Sequence, residues 1–321
     1  MSNPSSLVLD KDTLIKMYPK VTVIGAGAMG ISWAALFLAN GLKVVVNDPR
    51  PDLEEATLKG VEEASPALGA LGYNVKDLKK NLSFEKDLDK AVRGAALIQE
   101  NGPENVEFKQ DLYARIETNL SPSALVLSSS STIPTTISAK RMKDASRVLL
   151  GHPFNPPHLI PLVEVVPGER TSKEALKATM AFYTAVGKKP VIIEKEILGF
   201  VANRLQAALM RESVYLVSAG YVSMENLDLI VSSSIGLRWA AAGPFKTFTL
   251  GGGPGGLPHF LQHLGPGLEG MWKVLGDPHL DKATNELLIS QVNECYAKIP
   301  YEALANERDQ QQLAVMKALG K

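Results

Sequence analysis

The segment GHPFNPPHLIPLVEVV, residues 151 to 166, places an imidazole and a carboxylate on two otherwise apolar, strand-like runs. His152 follows the apolar triplet VLL and a glycine, and Glu164 sits inside LVEVV. A strand of that composition is mostly buried, and an ionised carboxylate there costs several kcal/mol of desolvation unless a charged or hydrogen-bonding group faces it. His152 is the nearest candidate. In that pairing Glu164 orients the imidazole and stabilises it when it holds a proton, so His152 can carry a proton to and from a substrate near neutral pH. A structural histidine beside a rim glutamate fits this pair alone equally well.

Proton transfer needs a reaction to serve, and the first strand-like stretch supplies one. In VTVIGAGAMGISWAALFLANGLKVVVND a short apolar strand runs into Gly25, Ala26, Gly27, Ala28, Met29 and Gly30, then an amphipathic helix to about Asn40, a stop at Gly41 and a second strand ending at Asp48. A G-x-G-x-x-G triplet is weak evidence alone. Placed after a strand, opening a helix and followed about twenty residues later by an acid at a strand end, it is the dinucleotide-binding pattern. Gly25 allows the tight turn, Gly27 lets backbone N–H groups approach a pyrophosphate, and Gly30 lets the helix close on the sheet. The helix N-terminus adds partial positive charge. Asp48 suits the adenosine ribose hydroxyls and repels the extra phosphate of NADP, so NAD is the expected cofactor, with Arg50 able to soften that rejection.

The elements that hold these groups alternate. Residues 53 to 80 read as a helix; AALIQ is a strand, Gly102-Pro103 a turn, and a helix begins near Glu104. SALVLSSSST is a strand that breaks into hydroxyls, where ligands lie in open parallel sheets, although a Ser/Thr cluster before a helix also serves as an N-cap. VLLGH, a proline-rich loop, LVEVV, a helix and KPVIIEK complete a doubly wound α/β sheet. From ILGFVANRLQ onward helical periodicity takes over. The expectation is a Rossmann domain over 1–196 followed by an all-α domain over 197–321. Asn203 lies in the first turns of that second domain. Arg238 and Trp239 interrupt apolar surroundings in LRWAAAGPF, and GGGPGG at 251 to 256 lacks the Lys-Ser/Thr of a phosphate loop and reads as a turn between helices.

Composition narrows the partners. The chain has 321 residues, 45% hydrophobic and 21% charged, with Lys plus Arg and Asp plus Glu equal at 34 each and no long block of one sign. That balance predicts neither nucleic acid nor an anionic membrane surface as partner. The single cysteine, Cys295, excludes an internal disulfide framework and suggests a reducing compartment. The leader lacks the apolar core of a secretory signal, no apolar run reaches membrane-span length, and the ALGK end is not a peroxisomal tripeptide, so a cytoplasmic protein is expected. His158, His259, His263 and His279 lack metal-ligand spacing, and no metal is expected.

Taken together, VIGAGAMG, Asp48, IQENGPENVEFKQ, LSSSST, GHPFNPPHLIPLVEVV, GFVANRLQ and GLRWAAAGPF resemble, in order and over nearly the whole chain, the 3-hydroxyacyl-CoA dehydrogenase superfamily. The branch most similar is that of lambda-crystallin and L-gulonate 3-dehydrogenase, with carnitine 3-dehydrogenase also close. The resemblance implies an NAD domain, a helical domain that makes a homodimer, His152 as catalytic acid/base, Glu164 as its partner, Ser131 on the reacting oxygen and Asn203 holding substrate. It also implies Glu104 and Lys109, the E-N-x-x-x-K positions, beside the cofactor.

One departure concerns substrate. Acyl-CoA members usually carry a Tyr-Pro element before G-P-F, whereas this chain has Arg238, a bidentate anchor for a free carboxylate if sheltered by Trp239 and Ala240. Lys59 matches a lysine of CoA-dependent relatives, but their serine five residues later is Ala64 here. A small free 3-hydroxy acid is therefore the expected substrate. A 3-hydroxybutyryl-CoA dehydrogenase, a carnitine 3-dehydrogenase and a crystallin-like structural protein remain as alternatives.

Overall fold

Strand β1 (Val21–Ile24) is buried at all four positions, and so are β4 (Leu97–Glu100) and β5 (Leu125–Ser128). Runs of this kind lack polar alternation because a parallel sheet is covered on both faces. The successive side chains divide accordingly. Val21, Val23, Leu97, Leu125 and Leu127 join one core with Trp33 and Phe37, while Ile24, Ile98, Val126 and Val148 join another with Tyr113 and Ile116.

The computed structural model describes residues 9–320; residues 1 to 8 of the leader and Lys321 lie outside them. After α1 (Lys11–Met17) and β1 come α2 (Ala28–Ala39), β2 (Val44–Asn47), α3 (Leu53–Ala70), β3 (Leu82–Phe84), α4 (Leu88–Val92), β4, α5 (Val106–Glu117), β5 and α6 (Thr135–Ser138). Then follow β6 (Val148–Pro153), β7 (Leu162–Pro167), α7 (Lys173–Ala185) and β8 (Lys189–Ile192). The eight strands form one sheet in the order β3-β2-β1-β4-β5-β6-β7-β8. Neighbours are parallel except β6 and β7, which run antiparallel and set His152 opposite Glu164.

The helix expected over 53–80 ends at Ala70. Gly72 takes a positive φ of 88°, which releases the chain into a 3-10 turn (Leu78–Asn81) and the short strand β3.

The described residues form two compact units. One comprises residues 9–201 together with Asp309–Lys317; the other comprises Ala202–Arg308 and Ala318–Gly320. The sequence places the boundary at 196/197, and the first unit continues through Gly199 and Phe200 to Val201. The remainder is helical: α8 (Ala202–Ser218), α9 (Met224–Ser233), α10 (Ile235–Ala242), α11 (Pro244–Gly251), α12 (Gly256–Trp272), α13 (Lys282–Tyr296) and α14 (Tyr301–Ala318). The GGGPGG run forms a 3-10 turn (Gly253–Gly255) between α11 and α12. No helix among the described residues is long and apolar enough to cross a membrane.

Candidate active site

The glycine loop leaves β1 and opens α2. Gly25 has a φ of 92°, and a Cβ there would lie 2.6 Å from the Asn101 carbonyl oxygen. A Cβ at Gly30 would lie 1.8 Å from the Gly25 carbonyl oxygen, whereas one at Gly27 would meet nothing within 4 Å. Two of the glycines are thus required by the protein's own backbone, and the third keeps an approach open. Gly27 caps α2 without a side-chain bond, so the first-turn N–H groups of Ala28, Met29 and Gly30 have no intrahelical acceptor and face an anion's natural position.

Asp48 closes the loop from β2. Its Oδ2 accepts the Ala26 N–H at 2.7 Å and its Oδ1 the Arg50 N–H at 2.9 Å. A carboxylate has about four acceptor positions, so capacity remains for ribose hydroxyls. Arg50 is engaged with protein groups. Its guanidinium is bidentate on Asp52, at 2.8 and 2.7 Å, and donates to the Ala26 carbonyl at 2.9 Å. These residues fit NAD.

On the β6–β7 pair, His152 Nδ1 and Glu164 Oε2 are 2.9 Å apart, and both residues are buried. Antiparallel register is the cause: side chains directly opposite share one face of the sheet. Glu164 Oε1 accepts the Val201 N–H at 3.0 Å, so each oxygen of the carboxylate is held by a different part of the chain. Two aromatic rings flank the imidazole: Phe154, edge-on at 4.8 Å between centroids, and Phe200, tilted at 5.4 Å.

Ser131 stands three residues beyond the end of β5, and in register Ser128 aligns with Leu150 two residues before His152. Ser131 and His152 therefore lie at the same end of adjacent parallel strands. Glu104 Oε1 organises the serine loop. It accepts the Ser130 hydroxyl (2.7 Å), the Ser131 N–H (3.1 Å), and the Thr132 N–H (2.7 Å) and hydroxyl (2.6 Å). Burial disfavours its charge, but these bonds and the nearby Lys109 outweigh it and hold the Glu104 carboxyl below its usual range.

Three residues have settings that their motifs do not specify. Lys109, expected beside the cofactor, is wholly buried with its ammonium 2.8 and 2.9 Å from the two oxygens of Glu100, because it falls on the face of α5 turned to the core. Arg238, in α10, is exposed, and Trp239 is 39% exposed, so neither shelters the other within the chain. Ala64 is buried in the main core, so the absence of a serine there says nothing about CoA, while Lys59 is exposed and pairs with Glu63 at 3.7 Å. Asn203 occupies the first turn of α8, two residues after the Val201 amide that reaches Glu164.

Sequence reasoning missed the polar floor beneath the site. Gln99 and Glu100 close β4 and Asn101 follows it, and their side chains bind neighbouring strand ends and helices. Ser129 Oγ donates to Asn101 Oδ1 (2.7 Å), Asn101 Nδ2 donates to the carbonyls of Ile24 (3.2 Å) and Gln99 (3.0 Å), and Tyr183 OH donates to Gln99 Oε1 (3.0 Å). Three amide and carboxyl side chains ending a buried strand were the available signal. Among the described residues no group of three or more His, Cys, Asp or Glu is placed to hold a metal ion.

Comparison with known proteins identifies the family. Residues 20–197 match the family described as 3-hydroxyacyl-CoA dehydrogenase, NAD binding domain, and residues 199–286 match its C-terminal domain. The L-carnitine dehydrogenase of Streptomyces coelicolor is 40% identical over 302 residues, 94% of this chain and 95% of the relative. A 3-hydroxyacyl-CoA dehydrogenase of Gibberella moniliformis is 42% identical over 294 residues, 90% of this chain and 91% of the relative. Among solved structures, 5-formyl-3-hydroxy-2-methylpyridine 4-carboxylic acid 5-dehydrogenase, an NAD-dependent dismutase, superposes with a TM-score of 0.80 at 29% identity, over 94% of this chain and 98% of that one. The chain belongs to the 3-hydroxyacyl-CoA dehydrogenase family and is an NAD-dependent oxidoreductase.

Proposed function

We propose that this protein oxidises the 3-hydroxyl of a small free hydroxy acid, with His152 as acid/base and Glu164 as its partner. The observation that carries the chemistry is the buried His152–Glu164 contact at 2.9 Å, at the strand ends where the glycine loop also opens. The glycine loop and Asp48 would hold NAD, which would supply the hydride acceptor for the carbinol carbon. His152 takes the proton of the hydroxyl, and Glu164, fixed by Val201, stabilises the imidazolium so formed. Ser131, held by Glu104 through its backbone, and Asn203 orient the oxygen.

For substrate, the relatives named L-carnitine dehydrogenase, at 38 to 40% identity, favour a free acid with carnitine first; L-gulonate rests on the motif resemblance alone. The exposed Arg238 is assigned to the carboxylate, the group common to both. The 42% identical 3-hydroxyacyl-CoA dehydrogenase and the exposed Lys59 support a CoA thioester as the competing reading.

An NAD-reduction screen over carnitine, L-gulonate, L-3-hydroxybutyrate and 3-hydroxybutyryl-CoA decides between them. Turnover confined to the thioester would overturn the free-acid assignment. Arg238→Ala is expected to raise KM for a free acid about tenfold or more and to leave a thioester within about twofold, as loss of a charge-assisted pair requires.

A homodimer is part of the same proposal. Phe245 (75% exposed), Leu250 (68%) and Leu205 (63%) leave large apolar side chains exposed on helices of the second unit, and a second copy is their assigned occupant. Light scattering that returned a monomer at micromolar concentration would refute it. A cytoplasmic setting rests on the single free Cys295.

A further inference from the structure

Between β8 and α8 the chain makes a turn that a phenylalanine should avoid. Gly199 has a φ of 74°, and Phe200, the next residue, a φ of 49°. The left-handed region suits glycine; an L-residue with a large side chain pays steric strain there and persists only where the surroundings hold it. Among the described residues one other non-glycine takes a positive φ, Asp77, a short polar residue of the kind that tolerates it.

Two contacts show what the strained turn accomplishes. The ring of Phe200 is fully buried on Leu150 and Val166, which flank the site on β6 and β7, and lies 5.4 Å from the His152 ring. The reversed backbone presents the next amide, that of Val201, to Glu164 Oε1 at 3.0 Å. The other oxygen of that carboxylate is the one 2.9 Å from His152 Nδ1. A right-handed or extended Phe200 would turn the Val201 N–H away, and a glycine at 200 would make the turn freely but could neither hold it nor pack against the imidazole.

We propose that Phe200 is a positioning residue for the His152–Glu164 pair: its left-handed backbone aims the Val201 amide at Glu164 while its buried ring packs against His152. The proposal rests on reading that pair as the acid/base of the reaction. It predicts that Phe200 matters to turnover through Glu164 rather than through stability or cofactor affinity.

The test is a double-mutant cycle on the full chain, with Phe200→Ala, Glu164→Gln and the pair, scored by kcat and by NADH affinity from fluorescence titration. Phe200→Ala should lower kcat about tenfold to a hundredfold with NADH affinity within about twofold, and should cost under about threefold when Glu164 is already Gln. Phe200→Leu, which keeps apolar bulk over the same cluster but lacks the ring beside His152, should lose less, about threefold to tenfold in kcat. Equal factors in both backgrounds, or a loss carried by NADH affinity, overturn the proposal. If Phe200→Ala does not fold, Phe200→Leu takes its place in the cycle: a kcat decrease that disappears beside Glu164→Gln supports the proposal, and wild-type kcat or an additive decrease overturns it. Full kcat in Glu164→Gln alone instead refutes the acid/base reading, so the two failures are distinguishable.

Discussion

Replacing Lys109 by methionine separates a support role from a cofactor contact. Glu100 is fully buried at the end of β4 and accepts Lys109 at 2.8 and 2.9 Å, the Tyr113 hydroxyl at 2.8 Å, the Ser128 hydroxyl at 2.7 Å and the Gly102 N–H at 2.6 Å. Lys109→Met leaves the neutral donors but removes the only cation in that set. Breaking a buried ion pair from one side costs roughly 3–5 kcal/mol, because the remaining charge stays desolvated. In a domain of this size that corresponds to a decrease in Tm of roughly 6–20 °C. Glu100→Gln combined with Lys109→Met removes both charges and should recover more than half of the loss, since a neutral amide still accepts from Tyr113 and Ser128. Thermal unfolding followed by circular dichroism gives the stability change, and NADH titration of the folded variant gives the affinity, expected within about threefold of wild type. An unchanged Tm with lost NADH binding would refute the reasoning and put the ammonium on the cofactor.

Three other substitutions test separate parts of the account. Gly27→Ala meets nothing within 4 Å in the protein, so its Tm should match wild type within about 2 °C, while NAD affinity falls about tenfold or more because the methyl occupies the approach to the helix N-terminus. Gly30→Ala, by contrast, collides with the Gly25 carbonyl and should lose stability as well. Lys188 is buried, donates to the carbonyls of Pro157 and Ile160 and lies over the Trp33 ring; burial pushes its pKa down to about 7. The unfolded chain, with an ordinary lysine, then binds more protons than the folded one between about pH 7 and 10.4, so stability rises with pH across that window. The carbonyls and the Trp33 face favour the charged form and limit the effect. Urea unfolding at pH 7.5 and 9.5 should show wild type gaining on the order of 1–3 kcal/mol relative to Lys188→Met, and parallel behaviour would contradict it.

Much of the sheet was legible because its strands are short apolar runs closed by glycine, serine or an acid. The glycine loop could be read residue by residue because each glycine answers a distinct steric demand. His152 and Glu164 were legible as a pair because both interrupt apolar segments, but their register was not: it depends on β7 running antiparallel to β6, a tertiary choice with no local signature. The segment from Leu78 to Val92 was missed because β3 and α4 span three and five residues, too few to show a period. The buried pairing of Lys109 with Glu100 has no signal in the sequence, because motif spacing does not say which face of α5 meets the core. Arg238 was expected to be sheltered by Trp239, and both are exposed, since apolar neighbours in sequence are not neighbours in packing on a helix. Phe200 and Val201 left no trace in composition, because one acts through a dihedral angle and the other through a backbone amide.

The central claim is that His152 moves the proton in a hydride transfer to NAD. His152→Gln, which keeps a polar side chain of similar reach opposite Glu164, isolates that role. Turnover of the substrate found in the NAD-reduction screen should fall by about a thousandfold or more, with NADH affinity unchanged, as expected for loss of an acid/base group. Wild-type turnover in that variant would contradict the account.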